Sequence, residues 1–246
     1  MRSQKHRADQ LLIERGLAET RTRAQALILS GIVFSGERRI AKPGDHLTGD
    51  APLELRGQDH PWVSRGGIKL DHALRHFDLS ARGRVCLDVG ASTGGFTHVL
   101  LANGAKRVHA VDVGHAQLAW GLRTDPRVVV HERTNARYLT REIVPDPIEA
   151  VVCDTSFISL STVLPAPLSL CEPGAWAIAL IKPQFEAGRA AVGSKGVVRD
   201  PAVHERVCAR VREWWESMPG WCVLGLTESP ITGPEGNREF LIAAAL

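Results

Sequence analysis

From residue 85 onward, short apolar runs bounded by polar turns alternate with stretches whose apolar residues recur every three or four positions. The runs cover 85–89, 108–112, 128–131, 150–154, 175–181, 222–228 and 239–244. Runs this short and this continuously apolar read as strands buried on both faces, and the stretches between them read as helices. Seven strands with intervening helices predict an α/β domain on a doubly wound sheet. The last two runs lie close together around a loop holding Pro234, Gly236 and Asn237, which predicts an antiparallel hairpin at one end of that sheet.

Upstream the elements are smaller. Ala8, Leu11 and Leu12 share a helical face that stops at Gly16; Ala24, Leu27 and Ile28 share a second, capped by Thr20 or Thr22 and stopped at Gly31. Short apolar pieces at 32–34 and 53–55, with turns at 35–37 and 42–45, complete a small α+β module. Both patterns break at 56–63, where Gly57 and Pro61 stand. The expected organisation is a module over 1–59, a linker over 60–63 and the α/β domain over 64–246.

A chain of 246 residues, 44% of them hydrophobic, has room for one large core and a small appended module. No apolar run approaches the roughly 20 residues of a membrane span, and the start, Met1-Arg2-Ser3-Gln4-Lys5-His6-Arg7, is charged where a signal peptide is apolar. A cytoplasmic protein without membrane contact is expected. The five cysteines, Cys86, Cys153, Cys171, Cys208 and Cys222, are odd in number and widely spaced, so neither a disulfide framework nor a metal site is indicated. Net charge is +3, but the first 24 residues hold six Lys/Arg against three Asp/Glu. That bias fits a solvated helix face and nucleic-acid contact equally well.

The chemistry gathers where the first strand ends. Residues 86–97 read Cys-Leu-Asp-Val-Gly-Ala-Ser-Thr-Gly-Gly-Phe-Thr, a strand running into a glycine-rich turn that opens a helix. Gly90, Gly94 and Gly95 permit positive φ and close ligand approach, while helix-start N–H groups face polar ligand atoms. Asp112, 22 residues after Gly90, ends the second strand, where ribose-binding acids fall in such folds. The spacing Gly-x-x-x-Gly-Gly differs from the dinucleotide fingerprint, and no ATP phosphate loop is present.

Seven strands, this turn and the acid at Asp112 together resemble S-adenosylmethionine-dependent methyltransferases. The resemblance implies that S-adenosylmethionine is the cofactor. Asp88, Gly90, Ser92, Gly94, Gly95 and Phe96 then face its methionine end, Asp112 accepts from the ribose hydroxyls, and Asn135 lies near adenine. His115 reads either as a further cofactor contact or as a polar loop residue. Residues 7–55, with Arg21-Thr22-Arg23-Ala24 and Gly31-x-Val33, resemble the S4 RNA-binding domain, although Ala8 stands where that family often has leucine. RNA contact through Arg7, Arg21, Arg23, Arg38 and Arg39 is implied.

Four further segments resemble the Lys-Asp-Lys-Glu ribose 2′-O-methyltransferases, and more closely the TlyA/hemolysin A family: 64–70 with Lys69, 153–157 with Asp154, 182–186 with Lys182, and 233–239 with Glu239. This resemblance spans essentially the whole chain. It implies a catalytic tetrad of Lys69, Asp154, Lys182 and Glu239 acting on a cytidine ribose of ribosomal RNA. Because some members of the family carry a longer C-terminal tail than the one ending at Leu246, the large subunit is the favoured substrate. A ribose hydroxyl must lose its proton as it reacts, and a neutral lysine can take it. A free lysine titrates near about 10.4, and burial beside a second cation is expected to lower that value. Lys182 is assigned as base with Asp154 positioning it, and Lys69 with Glu239 as the pair orienting the ribose. Glu186 and Arg189 are expected to hold the loop after Lys182, and Trp214 and Trp215 to belong to a helix packed on the core. Two other classes stay open on sequence: a non-catalytic ribosome-assembly factor, and a membrane-lytic protein as the hemolysin name suggests.

Overall fold

The computed structural model describes residues 5–18, 20–56, 60–188, 191–193, 196–233 and 236–246. The chain divides into two compact units, Met1–Arg65 and Gly66–Leu246. Arg189, Pro234, Glu235 and residues 57–59 of the expected break lie outside the described residues.

In the first unit, β1 (Lys5–Arg7) leads into helices α1 (Ala8–Glu14) and α2 (Arg21–Leu29), followed by β2 (Val33–Ser35), β3 (Arg38–Arg39), β4 (His46–Thr48) and β5 (Glu54–Leu55). Strand β1 pairs antiparallel with β4, and β2 lies between β3 and β5. Thr20 is the helix cap, its side chain accepting from Arg23 N. The helical faces foreseen from Ala8, Leu11 and Leu12 and from Ala24, Leu27 and Ile28 meet in one core with Val33, Ile40 and Leu47. A carboxylate is buried in this small unit. Asp9 is fully enclosed and accepts from Arg7, Arg21 and Gln25, and these partners, Arg7 foremost, hold it well below the usual carboxylate range despite its burial.

The second unit opens with α3 (Gly66–His76) and continues β6 (Val85–Val89), α4 (Gly95–Ala102), β7 (Arg107–Val111), α5 (Trp120–Arg123), β8 (Val128–His131) and a 3₁₀ turn at Ala136–Tyr138. Then follow β9 (Ile148–Cys153), α6 (Leu160–Val163), α7 (Pro165–Ser169), β10 (Cys171–Ile181), α8 (Pro183–Glu186), α9 (Pro201–Glu216), β11 (Cys222–Glu228) and β12 (Phe240–Ala245). All seven expected strands form one sheet in the order β11-β12-β10-β9-β6-β7-β8. Six run the same way, five of them paired in parallel; β12 is antiparallel to both neighbours and forms the expected hairpin with β11. Strand order reverses at β6, since β7 and β8 extend to one side and β9 and β10 to the other. Ligands bind at such a switch point, outside the carboxyl ends of the strands.

Core residues on one face of the sheet include Leu87, Val151, Ala179 and Ile242, packed against α6, α7 and α9. Trp215 is completely buried in that cluster and Trp214 packs on its margin, as the helical spacing of α9 requires. The crossovers differ from expectation in length. Helices α5 to α8 have only four or five residues each, so much of the chain at the carboxyl edge is loop anchored by hydrogen bonds.

Candidate active site

The strands stop one residue short of the groups that matter, and the ladder brings those groups to one edge, Lys182 and Glu239 two residues beyond Asp154. Cys153, the last residue of β9, pairs with Val89 of β6 and with Ala179 of β10, and Ile181 pairs with Phe240. One step beyond these pairs stand Asp154, Gly90, Lys182 and Glu239. Asp154 N still donates to Val89 O at 3.0 Å, Gly90 N to Val111 O at 2.9 Å, and Asp112 N to His131 O at 3.0 Å.

Two ion pairs form there. Lys69 Nζ, from the first turn of α3, donates to Glu239 Oε2 at 2.6 Å, with both side chains almost wholly enclosed. Lys182 Nζ lies 2.6 Å from Asp154 Oδ1 and donates to Ser156 Oγ at 3.0 Å. Each pair feels the other. Burial disfavours the Asp154 carboxylate, but the charges of Lys182 and then Lys69 outweigh it and hold the group below its usual range. Burial likewise opposes the Lys182 ammonium; Asp154, with Glu239 behind it, overcomes that and raises the group above an ordinary lysine. This corrects the sequence expectation. Two lysines in one pocket were to lower each other, whereas the fold gives each its own carboxylate.

The other oxygen of Glu239, Oε1, is buried without a hydrogen-bond partner. Its carboxylate lies so close to Gly233 that a Cβ there would overlap it. The loop between these residues is fastened by Asn237, whose Oδ1 accepts from Val198 N at 3.1 Å and whose Nδ2 donates to Gly196 O at 3.0 Å. Glu186 accepts from Leu160 N at 2.7 Å and so ties α8 to the start of α6.

The glycine turn is built against the same edge. Gly90 has φ 85°, and a Cβ on it would meet the Asp154 carbonyl oxygen at 2.8 Å. Gly94 also has positive φ, but Gly95 does not; it begins α4, and the third left-handed position belongs to Ser92 at φ 49°. Asp112 Oδ2 accepts from Ser92 N at 2.8 Å and Oδ1 from Gly114 N at 2.6 Å, so the acid braces the turn as well as facing the edge. Asp88 is fully buried, accepts from Thr97 Oγ1 at 2.6 Å through Oδ2, and leaves Oδ1 unpartnered. Burial pushes its carboxyl up to about 7 against the Thr97 hydrogen bond, with the charges of Asp154 and Asp112 adding to the rise. Phe96 is buried among core side chains. Asn135 caps the 3₁₀ turn through Arg137 N, and His115 lies exposed, 3.7 Å from Glu132.

Sequence reasoning quoted Thr97, Ser156 and Gly233 within motifs and missed what they do. A signal existed for Ser156, which stands two residues after a strand-end acid, but its partner lies 26 residues away. In the first unit, Arg7 and Arg21 turn to Asp9 and Arg38 lies 3.8 Å from Asp45. Arg23 and Arg39 are exposed with no carboxylate partner among the described residues.

A seven-stranded sheet with its last strand inserted antiparallel, a glycine turn after the first strand and an acid after the second define the second unit as a Rossmann-like methyltransferase domain. The chain belongs to the FtsJ-like methyltransferase family, whose description matches residues 62–246. It is 51% identical over 243 residues to YqxC of Bacillus subtilis, covering 98% of this chain and 86% of that one. The 16S/23S rRNA (cytidine-2′-O)-methyltransferase TlyA of Mycobacterium tuberculosis is 46% identical over 237 residues, 96% of this chain and 88% of the relative. A solved structure from Streptococcus thermophilus that carries a hemolysin name is 42% identical with a TM-score of 0.74, over 98% of this chain and 88% of that one.

Proposed function

We propose that this chain methylates the 2′-hydroxyl of a cytidine ribose in ribosomal RNA, with S-adenosylmethionine as donor, the large subunit as the favoured substrate, and residues 1–59 as an S4-type module holding the RNA. One observation carries the reading: two buried lysine–carboxylate pairs, Lys69 with Glu239 and Lys182 with Asp154, meet at the carboxyl edge beside the glycine turn. The names of relatives support the substrate, since TlyA of Mycobacterium tuberculosis and TlyA of Campylobacter jejuni are both cytidine-2′-O-methyltransferases whose names include 23S rRNA.

The residues present fit the donor. Gly90 keeps its Cα open beside the Asp154 carbonyl, Asp112 presents a carboxylate after β7, and Asp88 leaves a buried oxygen unpartnered below the turn. When bound, S-adenosylmethionine supplies an electrophilic methyl group on a cationic sulfur. The chain's own part is to hold the ribose and move its proton. Glu239 Oε1 is a vacant acceptor for a ribose hydroxyl, and Lys69 holds that carboxylate in place. Lys182 Nζ takes the 2′-proton, and Asp154 fixes its position and stabilises the ammonium that results.

Lys182→Ala is expected to keep donor binding by calorimetry and to lose roughly 10²- to 10⁴-fold in turnover on ribosomal subunits, the usual contribution of a positioned base. Retained turnover would refute the role. Unchanged ribose methylation by mass spectrometry in cells lacking the gene, with no activity on subunits in vitro, would overturn the function.

A further inference from the structure

Lys182 is held as an ammonium by its neighbours, yet a base must be neutral when its substrate arrives. An ammonium has three N–H donors. Nζ lies 2.6 Å from Asp154 Oδ1 and donates one of them to Ser156 Oγ at 3.0 Å. Lys182 is 9% exposed, whereas Ser156 stands at the surface. The hydroxyl therefore touches the buried nitrogen on one side and solvent on the other.

Its position is fixed from both flanks. The Thr155 methyl lies 3.0 Å from where a Cβ on Gly90 would stand, which seats this loop on the glycine turn. Phe157, at φ 67°, sets its ring 4.8 Å from that of Phe185, three residues after Lys182. Ser156 thus lies between a residue seated on the loop after β6 and Phe157, which is 89% exposed but reaches the helix that follows its partner.

We propose that Ser156 is the positioning residue and proton exit of Lys182, an inference that rests on Lys182 being the base. Before a turnover, a proton of the Lys182 ammonium passes to Ser156 Oγ while the hydroxyl's own proton passes to a solvent water. Lys182 is left neutral, Ser156 is again a hydroxyl, and the proton has gone to the bulk. During methyl transfer the ribose 2′-proton binds the Lys182 lone pair and regenerates the ammonium, so each cycle releases one proton by the same path.

The test uses the full chain with ribosomal subunits in single-turnover assays. Ser156→Ala is expected to slow the reaction about tenfold in dilute buffer, a part of what general base catalysis supplies, and to recover as the concentration of an imidazole buffer rises. Ser156→Thr, which keeps the hydroxyl, is expected to react near the wild-type rate without responding to buffer. Donor affinity by calorimetry should be unchanged in both, and Ser156→Gly serves as a second deletion of the hydroxyl. A wild-type rate for Ser156→Ala, or a slow rate indifferent to buffer, overturns the proposal. Lys182→Met separates the two ideas. An inactive Lys182→Met beside an unimpaired Ser156→Ala removes only the exit; an active Lys182→Met removes the base itself.

Discussion

Asp88 is a fully buried carboxyl whose surroundings push it up to about 7. It is sealed under the glycine turn with one oxygen bonded to Thr97 and the other bare, and it keeps its proton until about pH 7. The unfolded chain releases the same proton near about pH 4. Between those values the folded state binds more protons than the unfolded one, so stability from this group is complete below about 4 and is lost as pH rises through 7. Asp88→Asn retains an acceptor for Thr97 and removes the ionisation. Denaturant melts across that range should therefore show a flatter dependence on pH in the variant; a wild-type decline would place its origin elsewhere. The tetrad sorts differently. Lys69, Asp154, Lys182 and Glu239 were named by resemblance to the Lys-Asp-Lys-Glu methyltransferases, and the fold brings them together as two ion pairs. The direction of the Lys182 shift was hidden, since it depends on how many carboxylates the fold sets around each amine, and sequence does not count neighbours.

At the scale of elements, apolar runs located the strands but not their ends. Strands β6, β8 and β11 coincide with the expected runs, yet Asp112, Asp154 and Lys182 fall just beyond β7, β9 and β10. The ladder decides this: a strand ends where its partner's carbonyls end, and those partners lie far away in sequence. Strand β10 starts at Cys171, earlier than the expected run at 175, because Cys171 pairs with Ile148, Gly174 N donates to Leu246 O and pairing resumes at Trp176. The connection from β11 to β12 is the element most exposed to mutation. Gly233→Ala would drive a methyl group into the Glu239 carboxylate and shift the Lys69 pair. A displacement of about 1 Å at such a site costs roughly 10²-fold in rate. The expected result is turnover reduced by that order with donor affinity preserved, read by calorimetry beside subunit assays; wild-type turnover would mean that the loop yields.

For the whole molecule, the charge bias of the first unit takes on content once its arginines are sorted by partner. Arg7 and Arg21 serve Asp9, whereas Arg23 and Arg39 are exposed with no carboxylate partner among the described residues. Replacing both with alanine should weaken RNA binding across sequences and reduce the slope of log affinity against log salt by about 2, with donor binding unaffected. Filter-binding titrations at several salt concentrations measure this, and an unchanged slope would exclude these two from the phosphate contacts. The α/β class of the larger unit was legible from the alternation of short apolar runs with helical spacings. The sorting of arginines by partner was not, because the burial of Asp9 is set by how both helices pack and not by its place on a short one.

Lys69 and Glu239 are 170 residues apart, and the strand that follows Glu239 occupies an interior place in the sheet, between β10 and β11. During synthesis, β11 has nothing to pair with until β12 arrives, so two strands and one half of the tetrad form together in a late folding event. Contacts of such long sequence separation are slow to close. While it is still being made, the enzyme therefore sits on a ribosome, the very particle that carries its proposed substrate, with its active site incomplete.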